Sequence, residues 1–131
     1  MSNDGAPLAP TVLSVRPMVP ARDFDLSREF YVALGFQPVP LADRLVEMRL
    51  GICTFILQDY YVRERADNLV IHLRVSDVRL WWDRIVALDL QSRFKVKALA
   101  PRPEAWGLVA GIVDPSGVLW RIAQSAEEAV P

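Results

Sequence analysis

Apolar and polar residues alternate along the chain in two different rhythms. From Val78 to Leu88, apolar side chains recur as Val78, Trp81, Ile85 and Leu88, a spacing that lays one stripe along a helix facing a sheet. Trp82 sits beside that stripe, placed to cover a sheet edge or meet a partner chain. A matching helix is predicted from Asp23 or Asp25 to about Leu34, with Gly35 suited to its left-handed stop and Ser76 capping the later helix. Between the helices, runs of β-branched and aromatic residues predict strands. These are Leu13–Val19, Phe36–Val39, Leu45–Leu50, Ile52–Gln58, Leu69–Val75, Phe94–Leu99, Leu108–Val113 and Val118–Ala123. Gly51 and Asp114-Pro115-Ser116-Gly117 supply turns. The polar stretch Tyr60–Asp67 connects two halves.

The halves repeat. Asp77 stands 54 residues after Asp23, and Leu88 stands 54 after Leu34. On the same offset Phe24 matches Val78, Tyr31 matches Ile85 and Val19 matches Leu73. Each half reads strand, helix, three strands, so an internal duplication is expected. The domain is expected over residues 12–124: module one 12–59, connector 60–67 and module two 68–124, with flexible tails at 1–11 and 125–131. The class is α+β.

Composition narrows the function. The chain has 131 residues, 52% of them hydrophobic and 24% charged, as an ordinary globular domain does. Its formal net charge of −1 argues against a nucleic-acid partner, which calls for a concentrated basic surplus. No apolar run approaches the ~20 residues of a membrane span. The start of the chain lacks a secretion-signal layout, and one cysteine, Cys53, excludes an internal disulfide. A reducing cytoplasm is the expected location.

The stretch Val19-Pro20-Ala21-Arg22-Asp23-Phe24-Asp25, with Phe30-Tyr31 and Leu34-Gly35-Phe36, resembles the bleomycin-resistance branch of the glyoxalase, or vicinal oxygen chelate (VOC), superfamily. In the second half Leu73–Val78, Ala105-Trp106-Gly107, Val113–Gly117 and Leu119-Trp120-Arg121 carry the same resemblance. The likeness covers residues 12 to 124. It implies paired βαβββ modules whose curved sheets form a cup; two exposed sheet edges and the aromatics Trp82 and Trp106 point to a two-fold homodimer.

Metal-dependent members of that superfamily place ligands on the first and last strand of each module. The resemblance maps those positions to Arg16, Ile56, Val70 and Arg121. Valine and isoleucine have no donor atoms, and an arginine offers no lone pair. No cofactor and no metal are therefore expected. A rebuilt metal site would centre on His72, the only histidine, with Glu47 and Asp59 as conceivable helpers.

If the former ligand positions face the cup, strand alternation puts Arg16, Met18, Thr54, Ile56, Gln58, Val70, His72, Arg74, Leu119 and Arg121 on that face. Val15, Pro17, Val19, Cys53, Phe55, Leu57, Leu69, Ile71, Leu73, Val75, Val118, Trp120 and Ile122 then lie under the helices. That parity makes Cys53 a packed, inert thiol. In relatives that bind bleomycin, the tryptophan matching Trp106 stacks on the drug's flat rings; a core or interface role fits Trp106 equally. Tyr60 and Tyr61 are candidate rim aromatics. The expected ligand-binding set is Arg16, Met18, Thr54, Ile56, Gln58, Tyr60, His72, Arg74, Trp106 and Arg121.

Two functions follow. One is a metal-free, homodimeric protein that sequesters a small organic molecule, an antibiotic among the candidates. The other is a divergent lyase, isomerase or dioxygenase with metal near His72. A dimeric scaffold with a vestigial pocket is the third and plainest. The arginines on the cup face favour an anionic or carbonyl-rich ligand, and a sequence pI of about 5.8 gives little long-range pull on a cationic drug.

Overall fold

The structure, a computed structural model, describes residues 5–105 and 107–125. Strand β1 covers Met18–Pro20, followed by helix α1 (Phe24–Leu34) and strands β2 (Gln37–Ala42), β3 (Leu45–Leu50) and β4 (Cys53–Gln58). A short helix, α2 (Arg63–Asn68), lies in the connector. The second half contains β5 (Val70–Arg74), α3 (Val78–Ala87), α4 (Leu90–Phe94), β6 (Ala98–Glu104), β7 (Gly107–Val113) and β8 (Leu119–Ser125).

The internal repeat survives down to single hydrogen bonds. The carboxylate of Asp23 accepts from the Leu26 amide at 3.1 Å, and that of Asp77 from the Leu80 amide at 3.2 Å. Asp77, not Ser76, is therefore the cap of α3. The helix starts at Val78 as expected, and the cap is the residue directly before it, whose side chain reaches the amide three residues on. Gly35 ends α1 at φ 125°, where a side chain would be strained.

Each half folds into its own four-stranded mixed sheet, ordered β1-β4-β3-β2 and β5-β8-β7-β6. The first and last strands of each half are parallel neighbours, with Met18 beside Ile56 and His72 beside Arg121. The outer strands β2 and β6 each carry two prolines, Pro38 and Pro40 or Pro101 and Pro103. Proline lacks an amide donor, and an edge strand tolerates that.

Three sequence expectations are corrected. The first strand is three residues long rather than Leu13–Val19. Residues 12–16 form no strand, and Leu13 is 97% and Val15 83% exposed; only the Pro17 carbonyl, accepting from the Ile56 amide at 2.8 Å, begins the contact with β4. Phe94 ends a helix instead of opening a strand, because its ring packs edge-on against Phe30 at 5.4 Å. Strand β6 starts later, at Ala98, and runs through the proline-containing segment to Glu104. Cys53 is exposed, not packed. It has the helix-side parity of Phe55 and Leu57, but it stands at the hairpin end beside fully exposed Ile52, beyond the reach of the core.

The apolar faces of both sheets point into one shared core. Tyr31, Phe36, Phe55 and Trp120 form a ring cluster across the two halves, with the Phe55 and Trp120 centroids 5.3 Å apart. Polar bonds are threaded through it. The indole N–H of Trp120 donates to the Tyr31 hydroxyl at 2.8 Å, and that hydroxyl donates to Asp114 at 2.6 Å. Asp114 also accepts from the amides of Ser116 and Val118. One half's helix is thus bonded to the other half's last turn. No helix among the described residues is long and apolar enough to cross a membrane.

Candidate ligand-binding site

Because Val19, Phe55 and Leu57 face the core, Met18, Thr54, Ile56 and Gln58 occupy the opposite face of the first sheet. Glu47 of β3 pairs with Ile56, and Arg49 with Thr54, so both project from that same face. Arg16, two residues before β1, donates to Glu47 from one side, and Arg49 donates from the other. The Glu47 side chain is only 6% exposed. Hydrogen bonds from Arg49 first and Arg16 second hold its carboxyl below the usual glutamate range. Two guanidinium groups around one carboxylate leave this face locally positive.

On the second sheet, Leu73, Trp120 and Ile122 face the core, so Val70, His72, Arg74, Leu119 and Arg121 point outward. Arg121 donates to both oxygens of Glu104 at 2.8 Å, a forked pair reaching from β8 to the outermost strand β6. Tyr60, just past β4, is 44% exposed, and its hydroxyl accepts from Arg65 at 3.2 Å. Trp106 lies outside the described residues.

The expected site residues therefore fall into two groups. Arg16, Met18, Thr54, Ile56 and Gln58 belong to one sheet; His72, Arg74 and Arg121 belong to the other. Since both sheets turn their apolar faces toward the common core, the two polar faces look away from it. Among the described residues of that set, Thr54 and His72 line a shared cavity of about 400 Å³, together with Val15, Phe36, Phe55 and Trp120. Arg121 and Glu104 border a hollow of about 30 Å³, room for little more than a water.

At the former ligand positions, Arg16 and Arg121 are each committed to a glutamate, while Ile56 and Val70 offer only carbon. The conceivable helpers of His72 do not gather around it. Glu47 is clamped on the other sheet, and Asp59 is paired with Arg44 at 2.5 Å. Among the described residues no three His, Cys, Asp or Glu side chains group as metal ligands would. Two residues missed from sequence, Glu104 and Arg49, complete the polar faces. Arg49 was legible by alternation within Leu45–Leu50; Glu104 was hidden by the prolines before it.

No family model and no curated protein matches the chain. Solved structures do. A bleomycin-binding protein complexed with bleomycin is 25% identical, with TM-score 0.74 over 87% of this chain and 99% of that one. A bleomycin resistance determinant encoded on the transposon Tn5 is 23% identical, with TM-score 0.73 over 88% and 99%. An antibiotic-binding protein from a Streptomyces species is 23% identical, with TM-score 0.67 over 88% and 98%.

Proposed function

Starting from its fold, which is that of the glyoxalase/bleomycin-resistance superfamily in its bleomycin-resistance-like form, we propose that this chain is a metal-free, cytoplasmic small-molecule-binding protein. It works as a homodimer and sequesters an organic compound, with an antibiotic as the leading class. The observation that carries the reading is the outward, separate placement of its two polar sheet faces. A half-cup that faces away from its own sibling needs a second chain to close it. A two-fold dimer sets the Arg16–Gln58 face of one protomer opposite the His72–Arg121 face of its partner, giving two equivalent cups.

The chemistry of such a cup is recognition rather than catalysis. Arg16 and Arg49 share the single carboxylate of Glu47, and Arg121 is paired with Glu104, so the first face keeps a surplus of positive charge beside apolar Met18 and Ile56. That mixture suits a flat, partly polar molecule with carbonyl or carboxylate groups. The binding domain in this reading spans residues 12–124, with module one at 12–59, the connector at 60–67 and module two at 68–124.

Two measurements check it. Light scattering of purified protein is expected to give twice the 14.8 kDa chain mass at micromolar concentration; a monomer would refute the inter-chain cup. Metal analysis is expected to find well under one equivalent of Zn, Ni, Mn or Fe per chain. Stoichiometric metal that disappears in His72→Ala would establish the enzymatic alternative instead.

A further inference from the structure

We propose a second binding site, for small phosphate-bearing polyanions, in the groove between α2, the α4–β6 loop and the β7–β8 turn. The groove has a volume of about 640 Å³ and draws cations from three separate stretches of chain. Arg22 precedes α1, Arg63 opens α2, and Lys95 and Lys97 follow α4. All four are exposed. In a chain with net charge −1, this clustering is local, and only Arg63 of the four has an acidic partner among the described residues.

Two carboxylates share the lining: Asp67 offsets Arg63 within the groove, and Asp114 is turned away from it. Asp67 lies 3.4 Å from Arg63. Asp114 is 2% exposed and turned inward, where it accepts from Tyr31 and from two amides of its own turn. Arg22, Lys95 and Lys97 make no ion pair with any other described residue. Arg22 is also held in place: its amide donates to the Ser116 hydroxyl at 2.9 Å, and its guanidinium lies over the Tyr61 ring at 5.8 Å.

A single exposed ion pair in water is weak. A ligand must engage several of these cations together, which selects a multiply charged anion over a monoanion. Phosphate oxygens suit the forked arginine and the point-charge lysines alike. Lys95 has a backbone position that allows a clean test. It sits at φ 54° as the residue ending α4, a left-handed position that glycine or asparagine takes more easily. None of these residues belongs to the two sheet faces, so the site stands apart from the proposed cup.

The test titrates the full chain with inorganic pyrophosphate by calorimetry at low and physiological salt. Saturable binding of one pyrophosphate per chain is expected, weakening as salt rises. Lys95→Gln/Lys97→Gln together are expected to cost about tenfold or more in affinity, which corresponds to about 1.4 kcal/mol. Lys95→Gly alone is expected to weaken binding while leaving Tm unchanged or raised, since glycine accepts the left-handed backbone. Arg28→Gln/Arg79→Gln, which removes equal charge from α1 and α3, is expected to bind as the wild type does. Absence of saturable binding, or an equal loss in the Arg28/Arg79 variant, would overturn the site. Citrate binding as tightly as pyrophosphate would overturn its phosphate preference.

Discussion

Asp114→Ala is expected to lower the free energy of unfolding by ~3–5 kcal/mol, read from the shift of a urea midpoint. The carboxylate is the acceptor for three donors in the core: the Tyr31 hydroxyl at 2.6 Å and the amides of Ser116 and Val118 at 2.8 and 2.9 Å. Alanine leaves all three buried without a partner, and it cuts the bond that ties α1 to the last hairpin. Asp114→Asn keeps one acceptor oxygen for the two amides and is expected to cost less. A loss under about 1 kcal/mol in the alanine variant, with unchanged denaturant slope, would show that the aromatic cluster alone joins the halves.

The same groups fix a pH dependence of known sign. Burial raises the Asp114 pKa above the ordinary aspartate value, against the opposing pull of its hydrogen bonds. A raised carboxyl contributes stability that is present below its unfolded pKa and lost as pH rises through its folded one. Lowering the pH is therefore expected to widen the stability gap between the wild type and Asp114→Asn. Glu47 works in the opposite direction. Its lowered pKa, set by Arg49 and then Arg16, contributes stability above the ordinary glutamate range that is lost as pH falls through the folded value. Glu47→Gln is expected to flatten that acid limb, which urea midpoints across pH would record.

The second large effect concerns the ligand. Once a stabilising compound has been found by thermal-shift screening of antibiotics and small carboxylates, Trp106→Ala is expected to weaken its binding about thirtyfold, or ~2 kcal/mol. The reasoning comes from the residue's place in the chain, between Ala105 and Gly107 at the entrance to β7, and from the stacking role of its counterpart in the resembling branch. A flat aromatic that stacks on a ligand contributes contact area at small entropic cost, so in that role its loss affects binding more than folding. Calorimetry on the wild type and the variant checks this. Unchanged affinity would remove Trp106 from the site, and an unfolded variant would assign it to the core or an interface. Failure of every compound of both classes to stabilise the wild type would favour the dimeric scaffold.

Much of this protein was readable from local patterns. The helix stripes, the Asp23 cap, the Asp114–Gly117 turn and the alternation of β4 and β8 each depend on neighbours a few residues away. The inferred duplication rests on repeating those same local signals. Alternation also sorted Phe55, Leu57, Trp120 and Ile122 onto the core side, because a strand's two faces are separated by geometry rather than by partners. It failed at Val15 and Cys53, where the strand parity holds but no packed neighbour lies opposite.

What no local pattern carried was the pairing of side chains across strands and, through Tyr31, Asp114 and Trp120, across the two halves. The Arg16–Glu47–Arg49 clamp, the Arg121–Glu104 fork and the Tyr31–Asp114–Trp120 chain join residues 2 to 89 positions apart. Most of these contacts exist only once strands pair and the halves dock. Sequence periodicity determined that each sheet has one apolar and one polar face. The tertiary structure decided that both apolar faces share a single core, which turns the polar faces outward, because burying that aromatic surface once stabilises the chain more than leaving it exposed on two separate sheets.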